Sequence, residues 1–251
     1  MGNEIFNRIE LKLPMDIATY NKFIKCVEPR FETDAFGDGD GFYSISNLYF
    51  DTYDNFFHEQ NVNREPFRQK LRMRIYGDVT IDDNCFIEIK KKYRGESNKR
   101  RTSMSLRDAY RFLVTKSITE FEKIDCSDDL VLQEIEYFKN YYELKPKTVI
   151  SYDRKALHCQ HDPNVRVTFD KNLRSRNTDL RLEHGRYGDL FTPPDFVLME
   201  VKAIHCIPLW FVEIIDQFGL SGMKFSKYSQ SVMQSALELK TEDEQMLENI
   251  I

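Results

Sequence analysis

Arginine and lysine recur at every second position through several strand-like stretches of this chain, with single glutamates set among them. Lys70, Arg72, Arg74 and Tyr76 alternate with Leu71, Met73 and Ile75, while Glu88, Lys90 and Lys92 alternate with Ile87 and Ile89. Arg8, Glu10 and Lys12 oppose Ile9, Leu11 and Leu13, and Tyr152 shares a parity with Arg154. Arg166, Thr168 and Asp170 oppose Val165, Val167 and Phe169; Glu200 and Lys202 oppose Met199 and Val201. Side chains on a strand point alternately to opposite faces, so each stretch presents one charged and one apolar face. Guanidinium forks and ammonium groups gathered in this way suit the oxygens of phosphate, and the interleaved carboxylates offset part of the cations' repulsion.

A sheet wet on one face produces the same alternation, strand by strand. Two features of the whole pattern favour an enclosed charged face instead. Its polar side is dominated by Arg and Lys, not by the Thr, Ser, Gln and Lys mixture of a solvated sheet. The helical stretches also carry apolar stripes (Phe23 and Val27; Leu130, Ile135 and Phe138; Trp210 and Ile214) that need the strands' apolar faces to cover. With helices on that side, the charged faces turn inward to a lumen. Cations enclosed together repel one another and lose hydration unless an anion compensates them. The residues therefore predict a site for a phosphate-rich polyanion, without separating an enzyme from a binding module.

The elements that must hold these residues follow from the same periodicities. Strands are expected over 4–13, 43–51, 67–77, 84–93, 98–105, 147–157, 164–171 and 195–204. Helices are expected over 15–27 (opened by Pro14 and Asp16), 54–61, 105–116, 128–142, from Pro208 to Gln217, and over 225–239. No repeat or Pro/Gly-rich linker divides the chain, so 1–240 reads as a single domain, followed by an acidic helix extension or tail at 241–251. The fold class is α+β: an antiparallel barrel with helices packed outside.

Composition narrows the function classes. A formal net charge of -5 argues against a general nucleic-acid binder and makes local cation clusters more informative. Cys26, Cys85, Cys126, Cys159 and Cys206 are scattered, with no CxxC pair, and read as reduced thiols of a cytoplasmic protein. No apolar stretch is long enough to span a bilayer. Asp38, Gly39, Asp40 and Gly41 faintly resemble a calcium loop but lack the later bidentate Glu, so turn chemistry is expected for the 34–41 loop. His158, Cys159 and His161 lack neighbours to complete a metal ligand set. Neither a Gly-rich loop ending in GK[ST] nor a kinase-type HRD or DFG pattern is present.

The runs RIELK from Arg8, SNLYFD from Ser46, KLRMRIYG from Lys70 and FIEIK from Phe86 resemble the catalytic domain of the vacuolar transporter chaperone (VTC) family of polyphosphate polymerases and their stand-alone bacterial relatives. So do YDRKA from Tyr152, RVTFD from Arg166, MEVK from Met199 and KFSKY from Lys224, in the family's order over nearly the whole chain. The resemblance implies a triphosphate tunnel metalloenzyme (CYTH-like) fold, an eight-stranded tunnel-like β-barrel. Its substrates would be ATP and polyphosphate. Triphosphatase and cyclase branches of that superfamily open on ExExK, whereas the first of those positions here is Arg8. That departure favours phosphate transfer over hydrolysis.

By the same resemblance Arg72, Arg74, Lys90, Arg154 and Arg166 would hold the triphosphate and the growing chain. Lys12, Arg8, Lys70, Lys99, Lys202, Lys224 and Lys227 would add phosphate contacts, and Tyr152 and Ser226 would donate hydrogen bonds. Glu200 would ligate Mn²⁺ or Mg²⁺, with Glu88 or Glu10 helping. Eukaryotic members also carry an SPX domain and a membrane region. Neither is expected within these residues, and a membrane-associated partner stays open. A tunnel triphosphatase and a non-catalytic polyphosphate or nucleotide binder are the alternatives.

Overall fold

The computed structural model describes residues 8–34, 37, 39–94, 96–114 and 124–248; the side chains of Arg8, Val114 and residues 238–248 lie outside that description. The expected strand residues 4–7, Asp38 of the expected turn, the last residues of the expected 105–116 helix and residues 249–251 also lie outside it.

In chain order the elements are β1 (Arg8–Asp16), α1 (Ile17–Val27), β2 (Phe31–Thr33), β3 (Phe42–Asp51), α2 (Phe56–Val62), β4 (Phe67–Tyr76), β5 (Asn84–Tyr93) and β6 (Glu96–Ser105). There follow α3 (Leu106–Val114), α4 (Asp129–Tyr141), β7 (Lys145–Cys159), β8 (Val165–Arg176), β9 (Asp189–Leu190), β10 (Phe196–Ile204), α5 (Leu209–Gln217) and α6 (Lys227–Glu248). The strands form a ten-stranded antiparallel sheet in the order β1-β10-β8-β7-β3-β4-β5-β6, with β2 on β7 and β9 on β8. This corrects the expected eight strands: β2 and β9 are too short to show a period. The order is open, with β1 and β6 at its ends, so the fold is an α+β antiparallel sheet with helices.

Two compact units divide the chain. The first comprises residues 1–45, 152–173 and 192–225; the second comprises 46–151, 174–191 and 226–251. Each has its own apolar core. In the first, Leu13, Val167, Phe169, Met199 and Val201 pack with Tyr20, Phe23, Ile24 and Val27 of α1 and with Phe211 and Ile215 of α5. The α1 positions follow i, i+3, i+4, i+7, the spacing that lines one helical face. Asp16 caps this helix by accepting from the Thr19 N–H. Rings interlock at edge-to-face geometry, Tyr20 on Phe169 at 5.1 Å and Phe23 on Phe218 at 5.3 Å.

In the second unit Leu71, Met73, Ile75, Ile87 and Ile89 pack under Leu106, Ala109 and Phe112 of α3 and Val131, Leu132, Ile135 and Phe138 of α4. Each fully buried side chain of this size contributes about 1.5–3 kcal/mol. Lys91 interrupts the apolar parity of β5, and the fold accounts for it. Its ammonium meets Glu134 of α4 at 2.7 Å, and Arg100 of β6 meets the same carboxylate at 2.7 Å. In both units helices cover the apolar face; Leu130, expected in the α4 stripe, is instead 70% exposed, because it lies off the face shared by Val131, Ile135 and Phe138. The charged face of the same strands is the other side.

Candidate functional site

In each unit most of the sequence-predicted residues share that charged side. In the second unit the register of β4, β5 and β6 sets them in rows: Lys70 opposite Lys90 opposite Lys99, then Arg72 opposite Glu88 opposite Arg101. Glu88 is 1% exposed. Its carboxylate accepts from Arg72 Nε at 2.7 Å and from Lys99 Nζ at 3.1 Å, and Arg74 Nε stands 4.0 Å away. Burial by itself would raise the Glu88 pKa; Arg72, Arg74 and Lys99 outweigh it and hold the acid at about 2. Arg74 is buried, donating from Nε to Asn47 Oδ1 at 2.8 Å, and Asn47 in turn donates to the Ile150 carbonyl. Arg72 also donates to the Tyr49 hydroxyl at 3.3 Å.

Ser226 precedes the first residue of α6. Its Oγ accepts from the Ser229 N–H at 3.3 Å, a helix N-cap, and from Lys70 Nζ at 2.7 Å. With both acceptor positions used, the hydroxyl proton is left to donate. Lys227 is half-buried in the first turn of α6.

The first unit carries the other cluster. Glu10 and Lys12 of β1 pair in register with Lys202 and Glu200 of β10, and these with Arg166 and Thr168 of β8. Lys12 Nζ donates to the Phe225 carbonyl at 2.8 Å and lies 3.3 Å from Glu10 and 4.0 Å from Glu200. Lys202 contacts Glu200 directly. Burial lowers the Lys202 pKa most strongly; Glu200 and Glu10 oppose that shift and Arg154 adds to it. Arg154 grips Asp170 with two bonds, Nε–Oδ1 at 2.6 Å and Nη2–Oδ2 at 2.7 Å, and its guanidinium lies 5.3 Å from the Tyr152 ring. Its burial works against the charge, yet Asp170, Tyr152 and Glu200 hold the pKa well above the ordinary guanidinium value. Arg166 Nη2 donates to Asp34 at 3.1 Å.

Two atoms of this face have no hydrogen-bond partner although buried: Arg166 Nε and Thr168 Oγ1. Burying such groups unpaired costs about 1–3 kcal/mol each. Lys224 is exposed. Arg8 sits on β1 opposite Ile204, its side chain outside the described residues.

These charged faces are built on the runs that resemble one family, and a family model described as the VTC domain matches residues 7–236. The chain belongs to the VTC domain family. It is 28% identical over 223 residues to vacuolar transporter chaperone complex subunit 4 of Trypanosoma brucei brucei, and 27% identical over 226 residues to the same subunit of Trypanosoma cruzi. Each alignment covers 75% of this chain and 28% of the relative, so the chain spans about 28% of the length of these relatives. Among solved structures it is similar to a putative adenylyl cyclase from Hippeastrum, described as revealing a dominant triphosphatase activity, with a TM-score of 0.50 and 14% identity over 91% of this chain and 96% of that one. At that identity the likeness concerns the fold.

Within this VTC domain the carboxylates suit a metal unequally. No group of three or more His, Cys, Asp or Glu side chains suited to a metal occurs among the described residues. Glu10 and Glu200 lie diagonally across the β1–β10 pair, near the orphaned Thr168 hydroxyl. A pair of carboxylates fits a Mg²⁺-like ion that completes its shell with phosphate oxygens and water. Glu88 is the most enclosed of the three carboxylates, with Arg72 and Lys99 paired to its oxygens and Arg74 at 4.0 Å, while Glu200 is paired with Lys202 and stands 4.0 Å from Lys12. Cys159 joins the apolar core of the first unit opposite Phe31. Sequence reading left Asn47, Tyr49, Thr168 and Asp170 without roles. The parity shared by Asp170 with Arg166, and Asn47 at the parity of Ile45 and Tyr49, were the signals that could have found them.

Proposed function

We propose that the chain is a polyphosphate polymerase domain that moves the γ-phosphoryl group of ATP onto a growing polyphosphate chain and releases ADP. One observation carries the phosphate-binding half of this reading: the buried Arg74 and the part-buried Arg154 sit among further cations on the charged strand faces. Family membership carries the step from binding to transfer, and Arg8 in the ExExK frame favours transfer over hydrolysis. A tunnel closed around the phosphate chain is part of the same reading, supported by the family resemblance.

The nucleophile is a terminal phosphate oxygen that is already ionised, so no general base is required. A bond forms between that oxygen and the γ-phosphorus while the bond to the β-phosphate bridging oxygen breaks, and the electron pair leaves with ADP. What opposes the step is the repulsion of one anion by another. Arg72, Arg74, Lys90, Lys99 and Lys70 would neutralise phosphate charge in one cluster, with Arg154, Arg166, Lys12 and Lys202 in the other. Fixed cations of this kind also align attacking and leaving oxygens. Tyr152 and Ser226 would donate to phosphate oxygens, and Lys224 and Lys227 would add charge. Mn²⁺ or Mg²⁺, held by Glu200 with Glu10, would supply Lewis-acid stabilisation of the phosphoryl oxygens.

The test is incubation of the purified chain with ATP and Mn²⁺, with products resolved by gel. Long phosphate chains with ADP support the polymerase; free phosphate with ADP alone would establish a triphosphatase. Glu200→Ala is expected to lose most of the metal-dependent turnover, and full activity in that variant would remove Glu200 from the metal site. Relatives named as subunits of a complex support partners for the whole protein. No helix among the described residues is long and apolar enough to cross a membrane.

A further inference from the structure

The rows on β4, β5 and β6 change character along the strands. Lys70, Lys90 and Lys99 form one row, and Arg72, Glu88 and Arg101 the next. Arg74, Phe86 and Ser103 form the third, and Tyr76 stands two residues further along β4, at the same parity as Arg74. Cations therefore give way to aromatic rings in a single direction. Tyr76 is the last residue of its strand; Gly77 follows at φ 70°, the left-handed region that favours glycine and turns the chain away.

The rings at this end are held in place. Phe86 meets the Tyr76 ring edge-to-face at 5.8 Å and 82°, and the Arg101 guanidinium lies over the Phe86 ring at 4.7 Å. Arg74 Nη1 donates to the Tyr76 hydroxyl at 3.5 Å, with its guanidinium carbon 5.8 Å from the ring centre. Despite these supports Tyr76 is 40% exposed. A single exposed tyrosine at a strand end is ordinary. This one is oriented by the same arginine that the phosphate reading uses, and it stands one strand repeat, about 7 Å, beyond that arginine. An aromatic face next to a phosphate-binding arginine is the arrangement on which nucleic-acid bases stack.

We propose that the Tyr76 ring is the platform for the purine of ATP, buttressed by Phe86 and Arg101. The triphosphate then runs from Arg74 towards Lys70, so the nucleoside end and the lysine end of the stripe are distinct. This rests on the reading that the stripe binds the triphosphate. It adds what distinguishes ATP from an inorganic polyphosphate of the same charge. Phe86 is a positioning residue here, since it acts through Tyr76.

The measurement is a calorimetric titration of the purified chain with ATP and, separately, with inorganic tripolyphosphate. Base–aromatic stacking of about 1–3 kcal/mol makes Tyr76→Ala weaken ATP about 5- to 150-fold. Tripolyphosphate affinity should stay within about twofold, by the same separation of base and phosphate contacts. Tyr76→Phe retains the ring and should bind ATP as the wild type does. Tyr76→Leu keeps the bulk without the ring, guards against a folding defect, and should behave like Tyr76→Ala. Phe86→Leu should weaken ATP selectively, by less. The platform is overturned if Tyr76→Ala weakens both ligands alike or neither, or if Tyr76→Phe is as damaging as Tyr76→Ala. It is also overturned if the wild type binds tripolyphosphate but not ATP, which would leave the phosphate reading standing. Wild-type protein that binds neither ligand overturns the phosphate reading and the platform together.

Discussion

Glu88 shows most directly how one residue makes the charged face tolerable without ligand. Its carboxylate is taken out of water, which is unfavourable, and stays ionised only because Arg72, Arg74 and Lys99 surround it. Replacing it with Gln leaves those cations facing one another without a counter-charge. Glu88→Gln should therefore destabilise the chain by about 3–5 kcal/mol in urea unfolding, and added tripolyphosphate should stabilise the variant more than the wild type. A variant as stable as the wild type would show that the cations relax into solvent. The pH dependence follows from the depressed acid. The folded value of about 2 lies below the ordinary 4.5, so the stabilisation is fully present above about pH 4.5 and disappears as pH falls towards 2. Its size is on the order of 3 kcal/mol, and the stability gap between wild type and Glu88→Gln should narrow through that window.

At the scale of elements, the start of α6 is tied to the end of β3. Asp51 is fully buried and accepts from the Phe57 and His58 N–H groups at the N-terminus of α2, and from the Tyr228 hydroxyl at 2.7 Å. Burial pushes the Tyr228 pKa upward, and the Asp51 charge pushes it further, so the phenol remains a donor. The Tyr228 ring stacks on Tyr49 at 5.2 Å, and Tyr49 accepts from Arg72. Tyr228→Phe removes one charge-assisted hydrogen bond and should cost about 1.5–3 kcal/mol. If the tie also sets Arg72 and Ser226, tripolyphosphate affinity falls as well; an unchanged affinity with lowered stability would make the tie purely structural. Helices and long strands were legible in the sequence because each carries a local period. The alternation of Lys70 to Tyr76 with Leu71 to Ile75 survives intact as the two faces of β4. What sequence could not supply is register. Glu88 was grouped with Glu10 and Glu200 as a metal ligand, but its position opposite both Arg72 and Arg101 is a non-local fact that gives it a different neighbourhood. The pairs Asn47–Arg74 and Asp51–Tyr228 escaped for the same reason, each joining residues far apart in sequence.

For the whole molecule the relevant contrast is between net charge and local charge. The chain is acidic overall, at -5, yet it concentrates cations on the charged face of both units. A long, stiff polyanion such as duplex DNA must bring many phosphates close to the general surface, where the summed field repels it. A short, flexible phosphate chain needs only the cluster, and exposed charges more than about 8 Å away are screened at physiological salt. Tripolyphosphate near 100 times its Kd should therefore stabilise the fold by about 2.7 kcal/mol, read as a rise in the thermal midpoint. Duplex DNA at equal phosphate concentration should leave that midpoint unchanged. Equal shifts from the two polyanions would mean that the cation clusters act as a generic basic surface, and the selectivity argued from their burial among carboxylates would be lost.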